Sequence, residues 1–295
     1  MRPEVRGRPS AAPLAYHSDV DLSAPFSPER LERVRALSRD TVVVSPTFRE
    51  AETIADHVAA VFHVLPETTL LVVDDESPDG TADVADALRA RHPRLHLLRR
   101  KPPRSFTGSY KDGITWAIEH GFSRVVSMDA DGSHAAEFLP LLLDMSHDAD
   151  VVVGSRYLFG VSVLNWQLRR VLLSVAASIY SRLITRVPCD DLTSGFCCYR
   201  VDMLQRIGYR DIRSSGYAYQ IEMKYRIWRA SGQLAETNIL FVERRKGTSK
   251  ISSGRVLEGI ARPFWCRLFL PGRPAENKVP IKRGWQSWHE WGAPL

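Results

Sequence analysis

Val125-Val126-Ser127-Met128-Asp129-Ala130-Asp131 is an apolar run of β type that ends in two carboxylates two residues apart. Side chains alternate in an extended segment, so Asp129 and Asp131 are expected to point the same way and to share one hard cation. Mg²⁺ or Mn²⁺ takes oxygen ligands, commonly one or two carboxylates completed by the diphosphate oxygens of a substrate. Two aspartates at a strand end therefore suit a nucleotide diphosphate held through a metal. The same triplet also occurs in solvated strand-to-loop turns, so its meaning rests on what surrounds it.

On either side of this stretch, short apolar runs alternate with helical patterns. Thr41–Val44, Leu70–Val73, Leu95–Leu98 and Val151–Val153 read as strands beside Val125–Met128. Between them Ile54, Val58, Val61, Phe62 and Leu65 recur at helical spacing. Val84 with Leu88, and Ile114 with Ala117 and Ile118, do the same, and Gly121 is placed to end the third helix. This alternation predicts an α/β protein, a mostly parallel sheet flanked by helices, with ligands bound beyond the carboxyl ends of the strands. At those ends the chain carries Pro46-Thr47-Phe48-Arg49-Glu50 and Asp74-Asp75-Glu76-Ser77-Pro78-Asp79-Gly80-Thr81. Asp75 is placed to accept from a ribose or a base, while Ser77-Pro78-Asp79-Gly80 is turn chemistry that caps the next helix. Neither GxGxxG nor GxxxxGK[ST] occurs at a strand-to-helix turn, which excludes the dinucleotide and P-loop modes of holding a nucleotide.

The 295 residues, 44% hydrophobic, suffice for a sizeable core in one large or two ordinary domains. A net charge of +6 favours an anionic partner such as nucleotide phosphates, lipid headgroups or nucleic acid. Cys189, Cys197, Cys198 and Cys266 show neither a CxxC pair nor zinc-ligand spacing and are expected to be reduced thiols, Cys197 and Cys198 as small buried hydrophobes. Arg2 and Arg6 precede no apolar run, so a secretory signal peptide is not expected. Val171–Ser181, the best candidate for a membrane span, has 11 uncharged residues, against the roughly 18 that a spanning helix needs.

Residues 1–38 are expected to be a disordered leader, residues 39–255 the catalytic domain, and residues 256–295 an interface helix with a Trp-rich tail. Leu164, Leu168, Val171, Leu172, Val175, Ile179 and Leu183 form a helical stripe accompanied by Arg169, Arg170, Arg182 and Arg186, which suits either a core-facing helix or one lying in a membrane interface. Ile260–Leu270, short, aromatic and basic, is a second interface candidate. Trp285, Trp288 and Trp291, spaced by three, are expected to pack on the catalytic domain.

Six blocks then occur in a fixed order: Asp74–Thr81, Asp129-Ala130-Asp131-Gly132-Ser133-His134, Val153-Gly154-Ser155-Arg156-Tyr157, Asp191-Leu192-Thr193-Ser194-Gly195-Phe196, Gly216-Tyr217-Ala218-Tyr219-Gln220-Ile221-Glu222-Met223, and Val242-Glu243-Arg244-Arg245-Lys246-Gly247-Thr248-Ser249-Lys250. In this order they resemble the dolichol-phosphate (polyprenol-phosphate) mannose synthases, inverting glycosyltransferases of family 2. The resemblance covers roughly Thr41 to Leu270 and implies an A-type glycosyltransferase fold with amphipathic interface helices. It implies that Pro46, Phe48, Glu50, Asp74 and Asp75 hold the nucleoside of a nucleotide sugar, GDP-mannose being favoured, and that Asp129, Ala130 and Asp131 hold the diphosphate with Mg²⁺ or Mn²⁺. Arg244 and Lys250 would close over the diphosphate, and Arg156 with Arg169 or Arg170, beside Thr193 and Ser194, would meet the phosphate of a polyprenyl monophosphate. Such an enzyme works on the cytoplasmic face of a membrane, as a peripheral protein, with no nucleic-acid partner.

Acid–base chemistry bears on the acceptor. A phosphate monoester has its second pKa near 6 and is an anionic nucleophile already, so no general base is required. A sugar-hydroxyl acceptor would need one, and Asp191 is the residue to supply it, unless it orients Thr193, Ser194 or an arginine. Three readings follow: transfer to a polyprenyl phosphate, transfer of the same or a UDP-linked sugar to a soluble acceptor, and a nucleotide-sugar-binding protein without turnover, against which Asp129, Asp131, Arg244 and Lys250 speak. Relative to the family pattern, Phe48-Arg49 replaces Tyr-Asn, Ser105-Phe106-Thr107 replaces Gly-Leu-Gly, Ser133 replaces a glutamine and Cys197 an arginine. A specialised relative with a different acceptor fits these departures as well as a housekeeping enzyme does.

Overall fold

The computed structural model describes residues 26–243, 253–270 and 281–282. In chain order these form α1 (Pro28–Arg39), β1 (Thr41–Thr47), α2 (Ile54–Val64), β2 (Thr69–Asp74), α3 (Thr81–Leu88), β3 (Leu95–Arg99), α4 (Phe106–Glu119), β4 (Arg124–Ser127), α5 (Leu139–Met145), β5 (Val151–Ser155), β6 (Val163–Leu164), α6 (Leu168–Thr185), β7 (Cys197–Arg200), α7 (Val201–Arg206), α8 (Gly216–Arg229), β8 (Leu234–Asn238), β9 (Phe241–Val242), α9 (Ser253–Phe269) and β10 (Ile281–Lys282). The main sheet runs β10-β8-β5-β7-β4-β1-β2-β3, and β6 pairs with β9 apart from it. Every neighbouring pair in the main sheet is parallel except those of β7, which lies antiparallel between β4 and β5.

Runs such as Val42-Val43-Val44 and Val151-Val152-Val153 are apolar at every position because both faces of the sheet are covered. Val43, Val72, Val126 and Val152 pack under α2 and α5, whereas Val42, Val44, Val125 and Val151 pack under α4 and α8. Gly113 lets α4 approach β1 closely, since a Cβ there would collide with Val44 Cγ1. The five expected strands and three expected helices are present, and α4 ends at Glu119, two residues before Gly121 at φ 78°.

Three boundaries differ from expectation. Part of the expected leader is ordered: Ser27 caps α1, Pro28 occupies its first turn, and Arg30 and Arg33 each grip the buried carboxylate of Asp144 on α5, at 2.6 and 2.5 Å. The partner lies more than 110 residues away in sequence, so periodicity within the helix does not announce it; residues 1–25 lie outside the described residues. The expected boundary at 255/256 falls inside α9, which packs against α6 and α8. Ile281–Lys282, expected in the tail, adds a parallel strand beside β8, while Trp285, Trp288 and Trp291 lie outside the described residues.

The expected stripe on α6 faces outward. Its buried positions are Ser178, Ser181 and Thr185, while Leu168, Leu172, Leu173, Ile179 and Leu183 are exposed, Leu173 by 72%. On neighbouring α9, Ile260, Phe264, Trp265, Leu268 and Phe269 are exposed as well, and Tyr180 Oη of α6 donates to the Ile260 carbonyl. No helix among the described residues is long and apolar enough to cross a membrane.

Candidate active site

The carboxyl ends of β1, β2 and β4 open into a cavity of about 520 Å³. Pro46, Phe48, Glu50, Asp75, Asp129, Ala130 and Asp131 line one part of it, and Arg170, Thr193, Gly195, Gly216, Tyr217, Gln220 and Glu243 another.

β4 ends at Ser127, so the two aspartates sit on the loop behind the strand instead of on the strand itself. Hydrogen bonds hold that loop in place of strand pairing. Asp129 N–H donates to His134 Nδ1 at 3.0 Å, Ser133 N–H donates to Asp131 Oδ1 at 3.0 Å, and Gly132 turns the chain at φ 77°. His134 is stacked on Phe196 and bridged to Phe241 of β9, which ties the loop to the start of β7 and to β9. Tyr110 Oη of α4 donates to Asp129 Oδ1 at 3.0 Å; burial, reinforced by the Asp129 charge, holds the phenol well above its usual range, so it stays a donor.

The two consecutive aspartates after β2 part company. Asp74 accepts from Thr47 Oγ1 at 3.0 Å, Ser77 N–H at 2.9 Å and Ser77 Oγ at 2.5 Å, which makes it the fastening of the turn and places it outside the cavity lining. Asp75 faces the cavity, its carboxylate held by Arg100 Nη1 and by Ser105 N–H at 2.7 Å. Phe48 lies under the guanidinium groups of Arg104 and Arg49, at 4.6 and 5.4 Å from its ring.

At the residues expected to meet an acceptor phosphate the geometry differs from several expectations. Arg156 is buried and pairs bidentately with fully buried Asp191, Nε to Oδ2 at 2.7 Å and Nη2 to Oδ1 at 2.8 Å, and Nη2 also donates to Thr193 Oγ1 at 2.7 Å. The pair sits behind Thr193, outside the cavity lining, so Arg156 is committed to Asp191 instead of projecting at a ligand. Burial opposes the ionised form of Asp191, but the Arg156 charge and hydrogen bonds outweigh it and hold the carboxyl below its ordinary value. In this arrangement the carboxylate is occupied in holding Arg156 and Thr193. Ser194 Oγ donates to the Gly154 carbonyl at 2.6 Å and lies outside the lining. Arg169 points to solvent with Gln167, whereas Arg170 lines the cavity, pairs with Glu243 at 2.6 Å and lies 4.0 Å over the Trp166 ring. Arg244 and Lys250 lie outside the described residues.

The aspartate loop has the donor chemistry that a hard cation wants. Asp129 and Asp131 share one wall, and Ser133 Oγ beside them is buried without a hydrogen-bond partner. Among the described residues no three His, Cys, Asp or Glu side chains gather into a metal site, so two carboxylates completed by substrate oxygens is the arrangement these residues fit.

Lining residues without an expected role include Arg104, Ser109, Gly195, Tyr217, Gln220 and Glu243. Most lie within quoted blocks or next to one, but nothing in their spacing distinguishes a cavity wall from a neighbouring core position.

The family model for glycosyl transferase family 2 matches residues 42–208. Undecaprenyl-phosphate mannosyltransferase of Micrococcus luteus is 40% identical over 219 residues, 74% of this chain and 90% of that protein. Polyprenol monophosphomannose synthase of Mycolicibacterium smegmatis is 40% identical over 222 residues, 75% of this chain and 84% of that one. Among solved structures, glucosyl-3-phosphoglycerate synthase of Mycobacterium tuberculosis superposes with a TM-score of 0.59 at 17% identity, covering 81% of this chain and 83% of that one, a likeness of fold. With the sheet, the carboxylate loop and these relatives in agreement, the chain belongs to glycosyl transferase family 2 and is a glycosyltransferase of the A-type fold.

Proposed function

We propose that this enzyme moves mannose from GDP-mannose to a polyprenyl monophosphate, with inversion, at a membrane surface. The observation that carries the reading is the commitment of Asp191: the residue that a hydroxyl acceptor would need as base is fully buried and engaged by Arg156 and Thr193. A phosphate acceptor needs no such base. The 40% identical relatives, one named for undecaprenyl phosphate and mannose, the other for polyprenol and mannose, point to the same substrates.

In this reading Pro46, Phe48, Glu50 and Asp75 bind the nucleoside, and Asp129 and Asp131, with Ser133 Oγ nearby, hold Mg²⁺ or Mn²⁺ against the diphosphate. When bound, that ion neutralises the charge growing on the leaving GDP. Tyr110 and His134 orient the carboxylate loop through Asp129. Arg170 and Thr193, both on the cavity wall, receive the acceptor phosphate, whose oxygen attacks the anomeric carbon as the bond to the GDP oxygen breaks and its electron pair leaves with GDP. No proton is transferred, and one displacement inverts the anomeric centre. Arg244 and Lys250, by resemblance, add positive charge over the diphosphate.

The exposed faces of α6 and α9 are the membrane side. Apolar side chains left in water on two adjacent helices, flanked by Arg182 and Arg267, suit a helix pair lying in the interface. Incubation with Mn²⁺ and radiolabelled GDP-mannose, with and without polyprenyl phosphate, followed by phase partition, tests the reading. Label should enter the organic phase only with the lipid and should be lost in Asp131→Ala. Nucleotide binding without transfer to lipid would contradict it.

A further inference from the structure

Lys224 lies on α8 with its side chain fully buried. Its nitrogen donates to the carbonyl of Ser194 at 2.7 Å and to that of Leu192 at 3.2 Å, with the Gln220 carbonyl, one turn back on the same helix, at 3.5 Å. Three carbonyls match the three donors of an ammonium. Among the described residues no carboxylate stands within ion-pair distance of it. A buried cation without a counter-ion is costly, and this one is met by backbone carbonyls and by the buried Cys197 thiol.

Its position gives that cost a purpose. Leu192 and Ser194 flank Thr193, which lines the cavity with Gly195 and Gln220. Behind the same wall Arg156 and Asp191 cancel each other's charge. Glu236, the other buried carboxyl near this loop, accepts from the N–H groups of Asp190 and Asp191, and burial pushes it up, toward its neutral form. Lys224 adds a second cation to a wall where Arg156 already pairs with Asp191, and it also adds to the pull that lowers Asp191.

We propose that Lys224 is a positioning residue of the acceptor side. Its two loop carbonyls fix the backbone around Thr193, and its charge behind that wall favours the dianion of a phosphate monoester over the monoanion. The inference rests on the phosphate-acceptor reading above. Steady-state kinetics of the full chain with GDP-mannose and polyprenyl phosphate, for wild type, Lys224→Met and Lys224→Arg across the acceptor's second ionisation near pH 6, tests it. In Lys224→Met the acceptor KM should rise about tenfold at neutral pH, the donor KM should not move, and the wild-type gain in kcat/KM above the acceptor pKa should shrink. Lys224→Arg, keeping the charge, should recover part of both. If Lys224→Met does not fold by circular dichroism, Lys224→Gln, neutral but still a donor, carries the same comparison. A folded neutral variant with wild-type acceptor KM and full pH gain, or one in which donor and acceptor KM rise together, overturns the proposal. Wild-type enzyme that glycosylates no phosphate acceptor overturns the phosphate reading, and this inference with it.

Discussion

Asparagine at position 191 separates a structural from a catalytic carboxylate. Asp191 accepts from Arg156 N–H at 3.1 Å, Arg156 Nε at 2.7 Å, Arg156 Nη2 at 2.8 Å and Thr193 Oγ1 at 3.0 Å, with no exposed surface. Asp191→Asn leaves the Arg156 guanidinium buried without its counter-charge, which costs about 3–5 kcal/mol, a shift in Tm on the order of 10 °C. The double variant Arg156→Met with Asp191→Asn removes both charges and should recover most of that loss, giving a large coupling energy in a double-mutant cycle completed by Arg156→Met alone. Urea unfolding of the four proteins, with kcat measured at a temperature where each remains folded, is the assay. A catalytic base predicts the opposite pattern, a fall in kcat of about 10²–10⁴ with little loss of stability. Asp191→Asn with wild-type stability and kcat lowered by that factor would make Asp191 the base and restore the hydroxyl-acceptor reading.

Tyr110→Phe removes the donor to Asp129 Oδ1, so Mn²⁺ affinity measured in the presence of GDP should fall about tenfold, near the low end for outer partners of metal ligands. His57, buried and hydrogen-bonded to Ser45 Oγ, is pushed by burial from 6.5 down to about 4. Because its folded value is depressed, its contribution is complete above pH 6.5 and is lost as pH falls toward 4, on the order of 3 kcal/mol. Unfolding free energies across that window should show this slope in wild type and a flatter one in His57→Gln. Leu172→Glu with Leu173→Glu places charge on an exposed apolar face; co-sedimentation with anionic lipid vesicles should be lost while stability changes by less than about 0.5 kcal/mol per site.

What could be read from the chain follows the range of the interactions involved. Val42–Val44 and Val151–Val153 announce doubly covered strands because burial on both faces leaves no polar position, and the aspartates follow at the sheet end where ligands bind. Helix α1 was illegible because its anchor, Asp144, belongs to a distant helix. The antiparallel insertion of β7 was equally hidden, since Cys197–Arg200 carries no mark of strand direction. Within the site, sequence brought Asp74 and Asp75 forward together, but only the turn made with Ser77 decides that Asp75 alone faces the cavity. Arg156 suited a phosphate until Asp191, 35 residues away, proved to hold it. The stripe on α6 was visible as a stripe; which way it faces depended on Ser178, Ser181 and Thr185 being the buried side.

An acceptor that is already an anion needs no base from the enzyme. Initial rates with polyprenyl phosphate and with the corresponding polyprenol, at equal concentration in the same detergent with Mn²⁺ and labelled GDP-mannose, test this most directly. Transfer to the phosphate with inversion at the anomeric carbon, and none above background to the alcohol, is expected. Transfer to the alcohol at a comparable rate, lost in Asp191→Asn, would contradict it.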